Sequence, residues 1–362
     1  LLYGAWFSRG GLTLKSIMVV DDNLVNLKYI DGQLSGNYQV ILAKSGEQAL
    51  SICARGKPDL ILLDIEMPVM DGFETIGRIK RDTFLRHIPV IFLTANHDSA
   101  TEAKGLASGA IDFITKPFER SILLHRIKLH LKFADYQKQL EGTVKELADS
   151  LGSSISELVE CRDANTGGHV VRTSRYVEML AMELRRRDLF SNELSDEQVD
   201  MIVRAAPLHD IGKVSIGDAI LLKPARLEKD EFEKMKAHTT IGAEILNGMY
   251  RRTPTQRYLQ YAIMIAEGHH ERYDGKGYPK GISGEEIPVC ARIMAVADVY
   301  DALVDDRVYR KGMSHKEACD IISEGKGTQF DSRVVDAFEA SSEDIAREME
   351  QSKIQNAAIS AD

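Results

Sequence analysis

The sequence predicts a multidomain chain: a doubly wound α/β domain with a five-stranded parallel sheet, joined by a long helix to an all-α domain. Three observations carry this. Short, fully apolar runs alternate with amphipathic stretches up to about Phe118, as buried parallel strands covered by helices on both faces would. Beyond Phe118 strand signals vanish and leucines recur at helical spacing. From about 155 to 340 the pattern stays helical, broken only by Gly/Pro-rich loops at 212–225 and 273–289.

Length and composition agree. At roughly 150 residues per domain, 362 residues make two domains, or three. The net charge of −9 lacks the electrostatic footprint of a chain that binds DNA or an anionic membrane surface without specificity. Cys53, Cys161, Cys290 and Cys319 are far apart, with no CxxC pair, so neither a disulfide framework nor a thiolate zinc site is expected. No apolar run approaches the ~18 residues of a membrane span, and a cytoplasmic location is expected. Residues 1–15 read as a disordered leader.

The first strand is IMVV at 17–20, ending in Asp21-Asp22; the second is VILA at 40–43. DLILLDI at 59–65, IPVIFLTA at 88–95 and AIDFIT at 110–115 follow, which completes the domain at about residue 120. Between 121 and 154 a helical linker is expected. Phe133, Leu140, Val144, Leu147, Leu151 and Leu158 form a heptad-like seam, with Gln137 and Ser154 at two of its positions. Either one long helix packs on its own domain, or, the reading preferred here, it also pairs in a homodimer. The all-α domain spans 155–340, and the polar tail from 341 to 362 is expected to fray.

In an open parallel sheet, ligands bind at the carboxyl ends of the strands. Asp21, Asp22 and Asp64 converge there and suit a hard cation such as Mg²⁺. Thr94 and Lys116, after the fourth and fifth strands, are placed to hold a phosphoryl group delivered to a carboxylate. This set resembles the response-regulator receiver domain over residues 16–120. The resemblance implies that Asp64 accepts phosphate from a sensor histidine kinase, that Asp21 and Asp22 complete the Mg site, and that Thr94, Phe113 and Lys116 form the switch.

A second set of residues lies in the helical part. His209-Asp210 stands in LHDIGK, His269-His270 in EGHHERYDGKGYP, His169 in TGGH and His238 in KAHTTIG. Asp298 and Asp301, three apart, share one helical face. Adjacent His-Asp and His-His pairs are awkward for packing alone, because two helical neighbours point about 100° apart and each needs a partner. Imidazoles with carboxylates suit Fe, Mn, Ni or Zn, and a carboxylate can bridge two ions. Two metals a few ångströms apart activate water and neutralise charge on a phosphoryl group.

HDIGK at 209–213, HHE at 269–271, DGKGYP at 274–279 and the Asp298/Asp301 pair resemble the HD-GYP domain, a subgroup of the HD phosphohydrolases. The resemblance implies hydrolysis of cyclic di-GMP, to pGpG or GMP, at a two- or three-metal centre. His169, His209, Asp210 and Asp298 would surround one ion, and Asp210, His238, His269 and His270 the other. Members with three metals carry Glu where this chain has Asn165, so two metals are favoured, Fe or Mn over Ni or Zn, with Asp301 a candidate for a weak third ion or a supporting role. Lys213 would act with Asp210 in catalysis and hold phosphate, and Gly277, Tyr278, Pro279, Arg307 and Arg310 would contact substrate. Two alternatives remain open. One is a hydrolase of another cyclic dinucleotide, such as cyclic GMP-AMP. The other is a catalytically weak cyclic di-GMP sensor that touches a partner, for example a diguanylate cyclase, through the GYP loop.

Overall fold

A computed structural model of the chain describes residues 14–95, 99–162, 168–305 and 311–359. It divides into two compact units at Val144/Lys145. Most of the leader, together with Asn165, Arg307 and Arg310, lies outside the described residues.

The first unit is the expected five-stranded sheet. Its elements are β1 (Ser16–Val20), α1 (Leu24–Leu34), β2 (Gln39–Ala43), α2 (Gly46–Cys53), β3 (Leu60–Asp64), α3 (Gly72–Arg81), β4 (Val90–Thr94), α4 (Ser99–Ala107), β5 (Asp112–Thr115) and the start of α5 (Arg120–Cys161). The strand order is β2-β1-β3-β4-β5, all parallel. Side chains alternate across the sheet, as the two-residue strand period requires. Met18, Val20, Ile61, Leu63 and Phe92 pack with Ile76 and Ile79 of α3. Ile17, Val19, Leu60, Leu62 and Leu93 pack with Leu27 and Ile30 of α1 and Leu123 and Ile127 of α5. Both faces are covered, which is why these strands read as unbroken apolar runs. Asn23, Ser45 and Asp71 cap α1, α2 and α3 with side-chain oxygens.

The second unit is helical: α6 (His169–Arg186), α7 (Asp196–Ala205), α8 (Asp218–Leu221), α9 (Lys229–Arg252), α10 (Tyr258–Gly268), α11 (Val289–Val304), α12 (His315–Glu324), α13 (Ser332–Ala340) and α14 (Ser342–Ile359). The His209-Asp210 segment lies between two 3-10 turns, 206–208 and 211–215. Helix α11 runs through the core, and Tyr176, Tyr300 and Phe338 stack in sequence with centroid separations of 5.2 Å at each step. The tail does not fray as expected. Residues 342–359 form α14, whose Ile345 and Met349 are buried in the core against α6. Two apolar residues four apart give an otherwise polar helix one buried face.

Helix α5 is continuous from Arg120 to Cys161. Phe133, Leu140, Val144, Leu147, Leu151 and Leu158 are all at least half exposed, so the seam is not consumed by packing within either unit. Among the described residues no helix is long and apolar enough to cross a membrane.

Candidate active site

Four imidazoles of the second unit are held in orientation through Nδ1. Nδ1 of His209, His238 and His269 donates to the carbonyls of Ala206, Met235 and Ile265, at 2.9, 2.7 and 2.9 Å. Nδ1 of His169 donates to Asp301 Oδ2 at 2.7 Å. With Nδ1 engaged as a donor in all four, every Nε2 faces inward, and an ion there takes up its lone pair.

Those lone pairs converge on Asp210. His238 Nε2 and His269 Nε2 lie 3.3 and 3.7 Å from Asp210 Oδ1, and His209 Nε2 lies 3.4 Å from Oδ2. His169 Nε2 is 3.4 Å from His209 Nε2 and 3.6 Å from Asp298 Oδ1, which is itself 3.9 Å from His209. Two groups able to hold an ion result: Asp210 with His238, His269 and His270, and His169 with His209 and Asp210, the latter bordered by Asp298. Asp210 belongs to both.

These groups fit cations better than they fit one another. Asp210 Oδ1, His238 Nε2 and His269 Nε2 are buried with no hydrogen-bond partner, a costly arrangement unless an ion sits among them. Burial pushes His209 down to about 4 and lowers His238 and His270, which keeps their lone pairs available. Burial opposes a charged His169 as well, yet the Asp301 hydrogen bond and the surrounding carboxylates push it up to about 9. Burial likewise works against the Asp210 charge, but Lys213 and the imidazoles hold it well below the usual carboxylate range.

Local backbone features build this arrangement. A Cβ on Gly212 would lie 1.9 Å from the His238 carbonyl oxygen, so only glycine lets the His209-Asp210 turn press flat on α9 and bring Asp210 to His238. Gly277, expected at the substrate, lines a cavity beside His270 and Tyr278 and also backs onto the chain: its Cβ would sit 2.3 Å from the Arg272 nitrogen and 2.6 Å from the His270 carbonyl oxygen. A side chain there would collide with this backbone. That packing seats the Tyr278 ring over His270, with centroids 4.8 Å apart, and Phe232 meets Tyr278 edge-on. A cavity of about 570 Å³ opens over the centre, lined by His169, Asp210, Lys213, His270, Tyr278, Asp298 and Lys223 among others. Lys213 Nζ is 2.8 Å from Asp210 Oδ2. Pro279 follows a cis bond in the same loop.

Three residues escaped the sequence reading, in part or whole. Asp301, a candidate ligand for a third ion, is fully buried with both oxygens engaged: Arg172 donates to them at 2.7 and 2.8 Å beside the His169 bond. Three donors thus share its two oxygens, two of them on Oδ2. Glu160, at the end of α5, is buried with Oε1 3.7 Å from His169 Nε2, and burial pushes its carboxyl up to about 7. Glu271 is buried and accepts from the backbone nitrogens of Lys280 and Gly281 at 2.7 and 3.1 Å, which pins the loop carrying Tyr278. Its place in HHE was the one signal for it.

In the first unit Asp21, Asp22 and Asp64 offer oxygens close enough for one ion. Lys116 Nζ bridges Asp21 and Asp64 at 2.7 and 2.8 Å, and Asn26 donates to both oxygens of Asp21. Thr94 is buried at the end of β4, and its carbonyl accepts from the Lys116 nitrogen at 2.7 Å. Phe113 packs on Phe92 with centroids 5.5 Å apart.

Comparison with known proteins agrees with both domains. A family model described as the response regulator receiver domain matches residues 17–128, and one described as the HD domain matches 154–334. A protein of Vibrio cholerae serotype O1 named probable cyclic di-GMP phosphodiesterase is 41% identical over 91% of this chain and 78% of its own. The cyclic di-GMP phosphodiesterase response regulator RpfG of Xanthomonas campestris pv. campestris is 36% identical over 93% of this chain and 90% of its own. A 3'3'-cGAMP-specific phosphodiesterase 2 of Vibrio cholerae serotype O1 is 38% identical over 59% of this chain and 38% of its own. The tandem domain matches and the likeness over nearly the whole chain lead to one conclusion: the chain belongs to the response regulators that join a receiver domain to an HD-GYP domain.

Proposed function

We propose that this chain is a response regulator whose second unit hydrolyses cyclic di-GMP at a centre of two divalent metals, under control of phosphorylation at Asp64. The observation that carries the reading is the sharing of Asp210 between two clusters of inward-facing imidazoles. His169, His209, Asp210 and Asp298 hold one ion, and Asp210, His238, His269 and His270 the other. Fe²⁺ or Mn²⁺ suits this mixed nitrogen and oxygen set, with Ni²⁺ and Zn²⁺ next. When bound, the ions supply Lewis acidity and a water activated at neutral pH.

The chain's own residues do the rest. Lys213, beside Asp210, holds a non-bridging phosphate oxygen as charge builds on the phosphorus. Tyr278, its ring tilted against His270 at the cavity wall, offers a stacking surface to a guanine. Arg307 and Arg310 are proposed as further substrate contacts from sequence alone. In the first unit a histidine kinase delivers phosphate to Asp64, with Mg²⁺ on Asp21, Asp22 and Asp64, and Thr94 and Lys116 receive the phosphoryl oxygens. The exposed α5 seam pairs two copies, and phosphorylation biases that helix. Beryllofluoride should therefore alter turnover or dimerisation; no change in either would remove the coupling.

The likeness to a cGAMP-specific phosphodiesterase supports cyclic GMP-AMP as a second substrate. The deciding experiment loads the protein with Fe²⁺ or Mn²⁺ under anaerobic conditions, adds either dinucleotide, and separates products beside a His209→Ala/Asp210→Ala control. Appearance of pGpG or GMP with a silent control supports the hydrolase. Loaded metals and bound nucleotide without cleavage would favour the sensor, acting through a partner such as a diguanylate cyclase at the GYP loop. Preferential cleavage of cyclic GMP-AMP would move the substrate assignment.

A further inference from the structure

Beyond the ligands named above, one carboxylate faces the centre with one of its oxygens unpartnered. Glu160 lies on the last turn of α5 and is 6% exposed, and its Oε1 is buried without a hydrogen-bond partner. That atom is 3.7 Å from His169 Nε2, too far for a hydrogen bond. The separation matches those from the same nitrogen to His209 Nε2 and Asp298 Oδ1, 3.4 and 3.6 Å. Ligand atoms that share one ion at about 2.1 Å lie roughly 3 to 4.2 Å apart, from right-angled to opposite placement.

We propose that Glu160 is a metal ligand, its Oε1 joining His169, His209, Asp210 and Asp298 around one ion. The inference rests on the two-metal reading of the centre. A cation between His169 Nε2 and Glu160 Oε1 would give the unpartnered carboxylate oxygen its missing contact. The carboxylate comes from α5, nine residues before His169, so this chain has an acid at the centre although Asn165 stands at the position where three-metal members carry Glu. The same helix begins at Arg120, which makes Glu160 the proposed ligand borne by the element that leaves the receiver.

The test is anaerobic calorimetric titration of metal-free full-length protein with Mn²⁺, together with metal content by mass spectrometry and thermal melts with and without Mn²⁺. Wild type should bind two ions per chain, and Asp210→Asn should lose both. Glu160→Gln should keep one and bind the other at least tenfold more weakly. Its metal-free melt should stay close to wild type, because Gln keeps the side-chain volume, while the Mn²⁺-induced rise shrinks. Two ions bound by Glu160→Gln with wild-type affinity would overturn the inference and leave the two-metal reading intact. A wild type that binds no transition metal, or an Asp210→Asn protein that keeps both ions, would instead sink the two-metal reading. If Glu160→Gln shows no cooperative melt, Glu160→Asp serves: weakening at one site supports the assignment, and wild-type affinity at both overturns it.

Discussion

Asp301 Oδ2 lies 2.7 Å from His169 Nδ1, and the same carboxylate is gripped by Arg172 through Nε at 2.7 Å. One buried acid thus fixes the tautomer of an inward-facing imidazole and neutralises a guanidinium that is itself 2% exposed. Asp301→Asn should damage both functions. Breaking a buried pair costs about 3–5 kcal/mol, here lessened because Asp305 remains 3.0 Å from Arg172. Loss of a supporting carboxylate should weaken metal binding about 10–100-fold on the His169 side. Denaturant unfolding and Mn²⁺ titration check the two effects separately; a variant with native stability and native affinity would remove the support role.

Gly212 gives a steric prediction. Gly212→Ala forces a methyl to within 1.9 Å of the His238 carbonyl, so either the turn or α9 must move. Overpacking of this kind costs about 1–3 kcal/mol. Because the same contact holds His238 Nε2 3.3 Å from Asp210, turnover should fall more than stability does. A variant with wild-type kcat would mean that the turn relaxes without disturbing the pair.

Much of this was legible in the sequence, for definite physical reasons. The strands were readable because both sheet faces are covered, which forces unbroken apolar runs such as LILL at 60–63. The paired His-Asp and His-His residues were readable because neighbours at 100° rarely both find polar partners in a core. Glu160 was hidden by its helix. On the last turns of α5 the apolar Leu151 and Leu158 face solvent while Ser156 and Glu160 are buried, so hydrophobic patterning points to the wrong face. Asp301 was left open because a spacing of three from Asp298 says that both acids share a face, not that one has already spent its oxygens on Arg172. Helix α14 was missed because Ile345 and Met349 are too few to outweigh the charged residues around them.

The exposed seam of α5 predicts an oligomer. Leu140 and Leu147 are 65% and 58% exposed, an expensive way to leave leucines seven apart on one face. A Leu140→Glu/Leu147→Glu variant should sediment as a monomer where wild type sediments as a dimer. Its melting should shift little, since exposed substitutions usually change stability by less than about 0.5 kcal/mol. Equal sedimentation of the two proteins would end the pairing model.

Asp64 supplies the pH prediction. Burial pushes its carboxyl up to about 6 from an ordinary 3.8; the Lys116 ammonium opposes the shift and Asp21 adds to it. Between these two values the folded chain holds a proton that the unfolded chain has released, so this residue's contribution to stability falls as pH rises through that window. At pH 7 the buried charge is a burden on the metal-free protein. Asp64→Asn keeps the side-chain volume and leaves Lys116 its bond to Asp21, 2.7 Å away, so the variant should melt higher than wild type at pH 7. The difference should close near pH 4, where both carry a neutral group. Mg²⁺ binding to Asp21, Asp22 and Asp64 must displace the same proton, so the wild-type affinity should hold steady above pH 6 and drop by about tenfold per unit below it. Scanning and titration calorimetry on the full chain measure both. A Mg²⁺ affinity that stays flat down to pH 5, or an Asp64→Asn protein that melts lower at pH 7, would show that Lys116 balances the Asp64 charge more completely than burial and Asp21 disfavour it.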